Sequence, residues 1–586
     1  MSSNDGRQSL IPRAALLAIA LAQSLILHGL YYASQEEIWP SNAPVWNFVL
    51  WTLALAVPLV LLLALETGNR RPVLRLTGVF ALLLALVAAY TGFQALPYDE
   101  FPVRELTFVF ACSIAVATFK ALMYLQQRAA GRPMNYQVLF TYSWRNFLVL
   151  GLAGLFKLAF FLILMLWAAL FAAIGIEFFR EIFQKEWFLF PALGLAFGTG
   201  IVVFRNLTGV IDAITRLLQG LIKLLLPLIV LIAVMFLLAL PFTGLDALWS
   251  THRGTGLLLW LLAVMLFFTN AVYQDGRGAP PYPLAVHRLV YCGLLSLPFV
   301  SGLALYGLSL RVGQYGWSIS RCWAMLVWIL LTLFAVGYVI GILRRRDAWT
   351  VNLARVNTAM GLFVLILMLL VNSPLIDFRK ITVASQLARV EAGQIGLDEL
   401  DYYYFERELA RPGYLARESI REQAADDPEL LALLENPQPS WSAVELMENG
   451  GHPLELRPTD LAVPEEVRRM IAREPVISAS VQRDGGKTIT PAHRSLLIEV
   501  DLDEDGQSEF LFVRLWENPE QDEDGYRLLQ ATHVYRADDR WQRRQLATDP
   551  DSQHESFYEA LTEGEVNLLA PRFQDIEVGG VEFRSE

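Results

Sequence analysis

Long apolar runs alternate with short charged segments over the first 375 positions, and then the alternation stops. A helix crosses a hydrocarbon core of roughly 30 Å with roughly 20 apolar residues, each rising about 1.5 Å. Runs of that length stand at 14–33, 45–65, 76–97, 106–125, 147–174, 188–204, 221–241, 257–274, 289–309, 322–343 and 358–375. The sixth is short and the fifth is long, so ten to twelve crossings bracket the pattern. The first run, behind Arg7 and Arg13, is too long for a signal segment and reads as a retained helix. Pro58, Pro191, Pro227 and Pro298 are candidate interruptions, and Gly194 and Gly198 have the GxxxG spacing of a packing face.

From Ile376 the texture is that of a water-soluble chain. Ile381–Val390 and Leu397–Leu409 have the spacing of amphipathic helices, interrupted by Pro412-Gly413, and Arg417–Leu434 is a further helical stretch. After Val476 the pattern turns strand-like at Ser495–Val500, Glu509–Leu515, Thr532–Arg536 and Trp541–Leu546, with a last helix over Glu555–Leu569. The expected fold is a polytopic α-helical membrane protein of about 11 transmembrane helices with a C-terminal soluble α+β domain. Its expected divisions are a transmembrane part at 1–375, a helical juxtamembrane part at 376–475 and a mixed α/β part at 476–586.

Charge sharpens this division. The chain carries 58 acidic and 47 basic residues, and 44 acidic and 22 basic ones lie from Asp377 onward. That part is near −22; the 14 acidic and 25 basic residues before it leave about +11. Arginine collects in alternate loops, among them Arg70, Arg71, Arg128, Arg145, Arg205, Arg344 and Arg345. By the positive-inside rule these loops are cytoplasmic, which places the N-terminus in the cytoplasm and the acidic domain in the periplasm, across an inner membrane. An acidic soluble part argues against nucleic-acid binding, because phosphates are repelled. The expected partners are the lipid bilayer and envelope proteins or lipids.

The junction between the parts has a distinctive sequence: Trp349-Thr-Val-Asn352-Leu-Ala-Arg355-Val-Asn357, then Asn372-Ser-Pro374-Leu-Ile-Asp377, Ser385-Gln386-Leu-Ala-Arg389, Asp401-Tyr402 and Arg411-Pro412-Gly413-Tyr414. In these motifs the chain resembles the bacterial family of multi-span inner-membrane proteins called DUF4153. The resemblance implies an integral inner-membrane protein and carries over no catalytic residue. Read physically, Pro374 ends the last span, and Asp377, Arg379 and Lys380 fall at headgroup depth.

Candidate chemistry is sparse. Asp501-Leu-Asp503-Glu-Asp505-Gly506-Gln507-Ser-Glu509 places carboxylates at alternate positions between two strand-like runs. One reading is a structural Ca2+ held by Asp501, Asp503, Asp505, the carbonyl of Gln507 and Glu509. The other is an Asp-Gly hairpin turn with solvated acids. Within the spans the polar residues Lys157, Asn270 and His28 are candidates, since an ionisable or strongly polar group in hydrocarbon is costly. The chain has no GxSxG, Walker or HExxH sequence and so offers no catalytic motif. Three functions remain in play: a binding or accessory module of the cell envelope, a transporter or lipid-handling protein with Lys157 and Asn270 on a path between spans, and a membrane enzyme acting on lipid-linked substrates.

Overall fold

Every long apolar run folds as a helix. They are α1 (Arg13–Gln35), α2 (Pro44–Ala64), α3 (Arg70–Gln94), α4 (Arg104–Ala129), α5 (Tyr136–Ala172), the short α6 (Phe178–Gln184), α7 (Glu186–Asn206), α8 (Thr208–Thr243), α9 (Gly254–Tyr273), α10 (Leu284–Leu295), α11 (Leu297–Tyr315), α12 (Ile319–Arg345) and α13 (Leu353–Leu370). The computed structural model describes residues 12–97, 100–131, 133–245, 254–274, 281–424 and 427–435, Leu248, and from 454 onward the strands named below with a few single residues. The chain divides into two units, Met1–Pro437 and Gln438–Glu586.

Among the described residues, ten helical stretches are long and apolar enough to cross a membrane. The last of them, Ile319–Leu370, spans 52 residues but is a hairpin. Arg346 turns the chain with φ +47°, and α12 and α13 then pack antiparallel. Val356 lies 2.8 Å from where a β-carbon on Gly337 would sit, and Tyr338 bonds Asn357. The two arms are 27 and 18 residues, so each has the length of a crossing and the total is eleven. Pro58, Pro191 and Pro227 stay inside helices, whereas Pro298 follows a real break at Ser296 between α10 and α11.

Small residues set the closest helix pair. Gly194 meets Ser24 and Gly198 meets Ala20, so α7 runs antiparallel to α1 with almost no side chain between them. The alternation of directions gives the bundle an entry face, where α1 begins and α2, α4, α7, α9 and α12 end, and an exit face, where α13 ends.

The segment after α13 belongs to the same unit as the bundle. It forms a cap of four helices, α14 (Phe378–Glu391), α15 (Tyr402–Arg407), α16 (Ala410–Gln423) and α17 (Pro428–Glu435), around a core that includes Tyr402, Phe405, Leu409, Ile420 and Leu434. Pro412 and Gly413 do not break it. They lie in the first turn of α16, where a proline's missing N–H has no intrahelical partner to lose.

The second unit is described by its strands: β1 (Leu454–Arg457), β2 (Arg483–Asp484), β3 (Lys487–Thr488), β4 (His493–Val500), β5 (Glu509–Glu517), β6 (Tyr526–Ala537), β7 (Arg540–Leu546), β8 (Ile576–Val578) and β9 (Val581–Phe583). Five form one sheet in the order β1-β4-β5-β6-β7, with β1 and β4 parallel and the rest antiparallel. Leu497, Phe510, Phe512 and Val534 are buried in its core. The helix expected over Glu555–Leu569 lies outside the described residues.

Candidate functional site

The entry face concentrates polar side chains below the level of the helix ends. A helix leaves its last four carbonyls without intrahelical partners, and at the end of α2 each is met by a side chain from elsewhere. Arg205 donates to Leu62 O at 2.5 Å and to Leu65 O at 3.0 Å. Gln126 Nε2 donates to Leu63 O at 3.1 Å, and Asn69 Nδ2 to Ala64 O at 3.1 Å. Arg205 lies in the last turn of α7, and its own carbonyl accepts from Arg145 Nη2 at 3.0 Å. Gln126 and Asn146 exchange two amide hydrogen bonds, of 2.8 and 3.2 Å, between α4 and α5.

Positive charge is suited to this place. The C-terminal ends of α2, α4 and α7 converge here, and each carries about half a negative charge of helix dipole. Arg205 is only 5 % exposed, and the carbonyls with the nearby Glu66 carboxylate offset part of its desolvation. These groups border a cavity of about 30 Å³ lined by Glu66, Asn69, Gln126, Tyr142, Arg145 and Arg205 among others. That is space for water with several polar partners.

A second polar chain lies beside it. Tyr338 Oη donates to Asn357 Oδ1 at 2.6 Å, Asn357 Nδ2 donates to Asn270 Oδ1 at 2.8 Å, and Tyr136 Oη donates to the same Asn270 oxygen. Four helices, α5, α9, α12 and α13, are thus joined through two asparagines. A third group surrounds His287, whose Nδ1 is 3.0 Å from Tyr273 Oη and whose Nε2 is 3.1 Å from Asp347 O. Asp347 also pairs with Arg288 at 3.0 Å, which holds its carboxyl below the usual carboxylate range.

The sequence-nominated residues are scattered. Asn270 is an acceptor hub in the second chain. Lys157 is exposed on α5 and has no hydrogen bond or ion pair among the described residues. It stands 21 positions beyond Tyr136, about 31 Å along the helix, so it does not share a site with Asn270. His28 packs its ring on Phe190 at 5.6 Å between centroids, with Nδ1 enclosed and unpaired. Asp501, Asp503, Asp505 and Gln507 lie outside the described residues. Glu509 is described: its carboxylate is 2.8 Å from His533 Nε2 across β5 and β6. Arg145 and Arg205 were counted in the sequence only as topogenic charge, and Gln126 and Asn146 carried no signal at all.

The junction motifs resolve into a latch on the exit face. Ser385 Oγ accepts from Trp317 N at 3.0 Å. Gln386 Nε2 donates to Tyr315 O and Trp317 O, both at 3.0 Å, and Arg389 Nη2 donates to Gln314 O at 3.1 Å. Tyr404 Oη accepts from Ile319 N at 3.0 Å. Asn372 Nδ2 donates to Ser113 Oγ at 2.7 Å, and Arg411 donates to Leu96 O at 3.1 Å. Four side chains of the cap, Tyr404 and the three polar ones of the motif Ser385-Gln386-Leu-Ala-Arg389, therefore read the backbone where α11 passes to α12. Burial pushes the Tyr402 hydroxyl up to about 12 and raises that of Tyr404 as well.

No curated protein and no solved structure matches the chain. The family model described as "Domain of unknown function (DUF4153)" matches residues 13–420, from the first helix to the third helix of the cap. This membrane protein therefore belongs to the DUF4153 family.

Proposed function

We propose that this chain is an envelope binding module: a membrane bundle that holds a cap and an acidic domain on the periplasmic side of an inner membrane, with the N-terminus in the cytoplasm. The observation that carries the reading is the latch, in which Ser385, Gln386, Arg389 and Tyr404 spend their polar groups on one loop backbone. Side chains used this way hold a platform in place. The arginine bias of the entry-face loops supports the orientation, and an odd number of crossings carries the cap across.

A structural Ca2+ in the Asp501–Glu509 loop belongs to the same proposal. Glu509 is hydrogen-bonded to His533, so an ion there has to compete for that carboxylate. The test is complementation in cells lacking the protein, with barrier permeability of the envelope as readout. The full chain restores the barrier, and a chain ending at Pro437, inserted to the same level, does not. Full restoration by the shortened chain contradicts the proposal.

A further inference from the structure

One charged group on the exit face is not used by the latch. Asp377 caps α14, its Oδ1 accepting from Arg379 N at 3.0 Å. Its Oδ2 accepts from Tyr90 Oη at 2.7 Å, which ties the cap to the end of α3. Arg379 Nε lies 3.2 Å from Oδ1, and the two side chains are 9 % and 0 % exposed. The carboxylate thus forms an ion pair on the Nε side of the guanidinium, with no hydrogen bond made by Nε itself. Its terminal nitrogens carry no hydrogen bond among the described residues, and unlike Nε they are not fully enclosed.

A second cation stands over the same tyrosine. Lys380 is exposed, with Nζ 5.6 Å from the centre of the Tyr90 ring. Arg379 and Lys380 against Asp377 leave a net charge of +1 where a largely buried guanidinium has terminal nitrogens without a hydrogen bond among the described residues. The fork of a guanidinium is matched to the paired oxygens of a phosphate. Apolar side chains close by in the chain are exposed: Leu375 and Ile381 at 78 % and 40 %, and Phe93, one turn beyond Tyr90 on α3, at 46 % with the Arg411 guanidinium 4.6 Å from its ring centre. Asp377 follows the end of the last span at Leu370 by seven positions, which is headgroup depth. Exposed apolar side chains at that depth are suited to contact with lipid.

We propose that Arg379 and Lys380 form a site for a phosphate group, supplied by the headgroup of a phospholipid in the leaflet beside the cap. Asp377 positions the guanidinium, and Tyr90 fixes Asp377.

The test uses the full chain, purified in detergent and stripped of lipid, with bound lipid read by native mass spectrometry. Phosphatidylglycerol is retained, and a diacylglycerol of the same chains, lacking phosphate, is retained at least tenfold less. R379Q weakens phosphatidylglycerol retention about tenfold, as expected for loss of a charged hydrogen bond. K380Q, at an exposed position and leaving the Tyr90–Asp377 hydrogen bond in place, weakens it about threefold. Equal retention of the two lipids by the unaltered chain overturns the proposal, as does unchanged retention by K380Q. Displacement of the lipid by millimolar inorganic phosphate assigns the pocket to free phosphate and overturns the lipid source.

Discussion

Arg389 Cδ lies 2.9 Å from the point where a β-carbon on Gly316 would sit. Gly316 also has φ +70°, in the region where side chains other than glycine's are strained. The loop can be read at close range by Ser385, Gln386 and Arg389 because no side chain stands between. Gly316→Ala therefore costs about 1–3 kcal/mol, from left-handed strain and displacement of the latch. Ser385→Ala, which removes one hydrogen bond, costs about 1 kcal/mol. Thermal unfolding in detergent checks both, and the order of the two losses is the informative result.

The entry face makes a prediction about Arg205. Removing its guanidinium leaves the carbonyls of Leu62 and Leu65 without donors in a buried place. Arg205→Gln is expected to cost about 3 kcal/mol or more. Arg205→Lys keeps the charge but loses the fork, so it recovers only part of the loss. A lysine variant as stable as the unaltered chain would show that charge alone matters there.

Glu408 supplies a pH dependence. Partial desolvation of this otherwise exposed side chain, then the carboxylates of Glu105 and Asp401, raise its pKa above the ordinary 4.5. The folded chain then holds a proton that the unfolded chain releases, over the window between 4.5 and the raised value. Ionised Glu408 weakens the fold above that window, and stability is gained as pH falls through it. Glu408→Gln is expected to raise the unfolding temperature at neutral pH, with the gap to the unaltered chain closing as pH approaches 4.5. A gap that widens on acidification reverses the sign and refutes the assignment.

The polar chain and Lys157 separate in a mutational test. Tyr338→Phe and Asn357→Leu are expected to be coupled by about 0.6–1.7 kcal/mol in a double-mutant cycle, the range for hydrogen bonds between membrane helices. Lys157→Leu places an apolar residue on an exposed apolar helix and leaves stability equal or higher. A fall of more than about 1 kcal/mol would reveal a partner for Lys157 and revive the reading that puts it on a path between spans.

What could be read in the sequence and what could not follows from distance along the chain. A membrane crossing is a local property, so every run from 14–33 to 358–375 emerged as helix, although α5 and α8 begin 11 and 13 positions before the expected 147 and 221 and the 289–309 run is divided at Ser296. The strands from Ser495 to Leu546 were equally local, as alternation between turns. The entry-face cluster was not. Arg205 and Leu62 are 143 positions apart, and Tyr90 and Asp377 are 287 apart. Nothing in the spacing of either pair announces the other. Arg205 looked like one more charge at the end of a span, the same signal as Arg344 or Arg345. Pro58, Pro191 and Pro227 were ambiguous for another reason: neighbouring groups in a bundle absorb the lost backbone bond. The motif Ser385-Gln386-Leu-Ala-Arg389 was visible as a motif, but its target is a backbone, which has no sequence to match.

The arrangement of faces is tested most directly by labelling single cysteines, introduced one at a time in a chain lacking Cys112, Cys292 and Cys322. Thr67→Cys lies in the α2–α3 loop on the entry face, and Gln394→Cys in the cap. With a membrane-impermeant thiol reagent acting on cells whose outer barrier alone has been opened, position 394 is expected to label and position 67 only after the inner membrane is broken. Labelling of both positions from the same side, or of position 67 alone from outside, contradicts the eleven-crossing, N-terminus-inside arrangement.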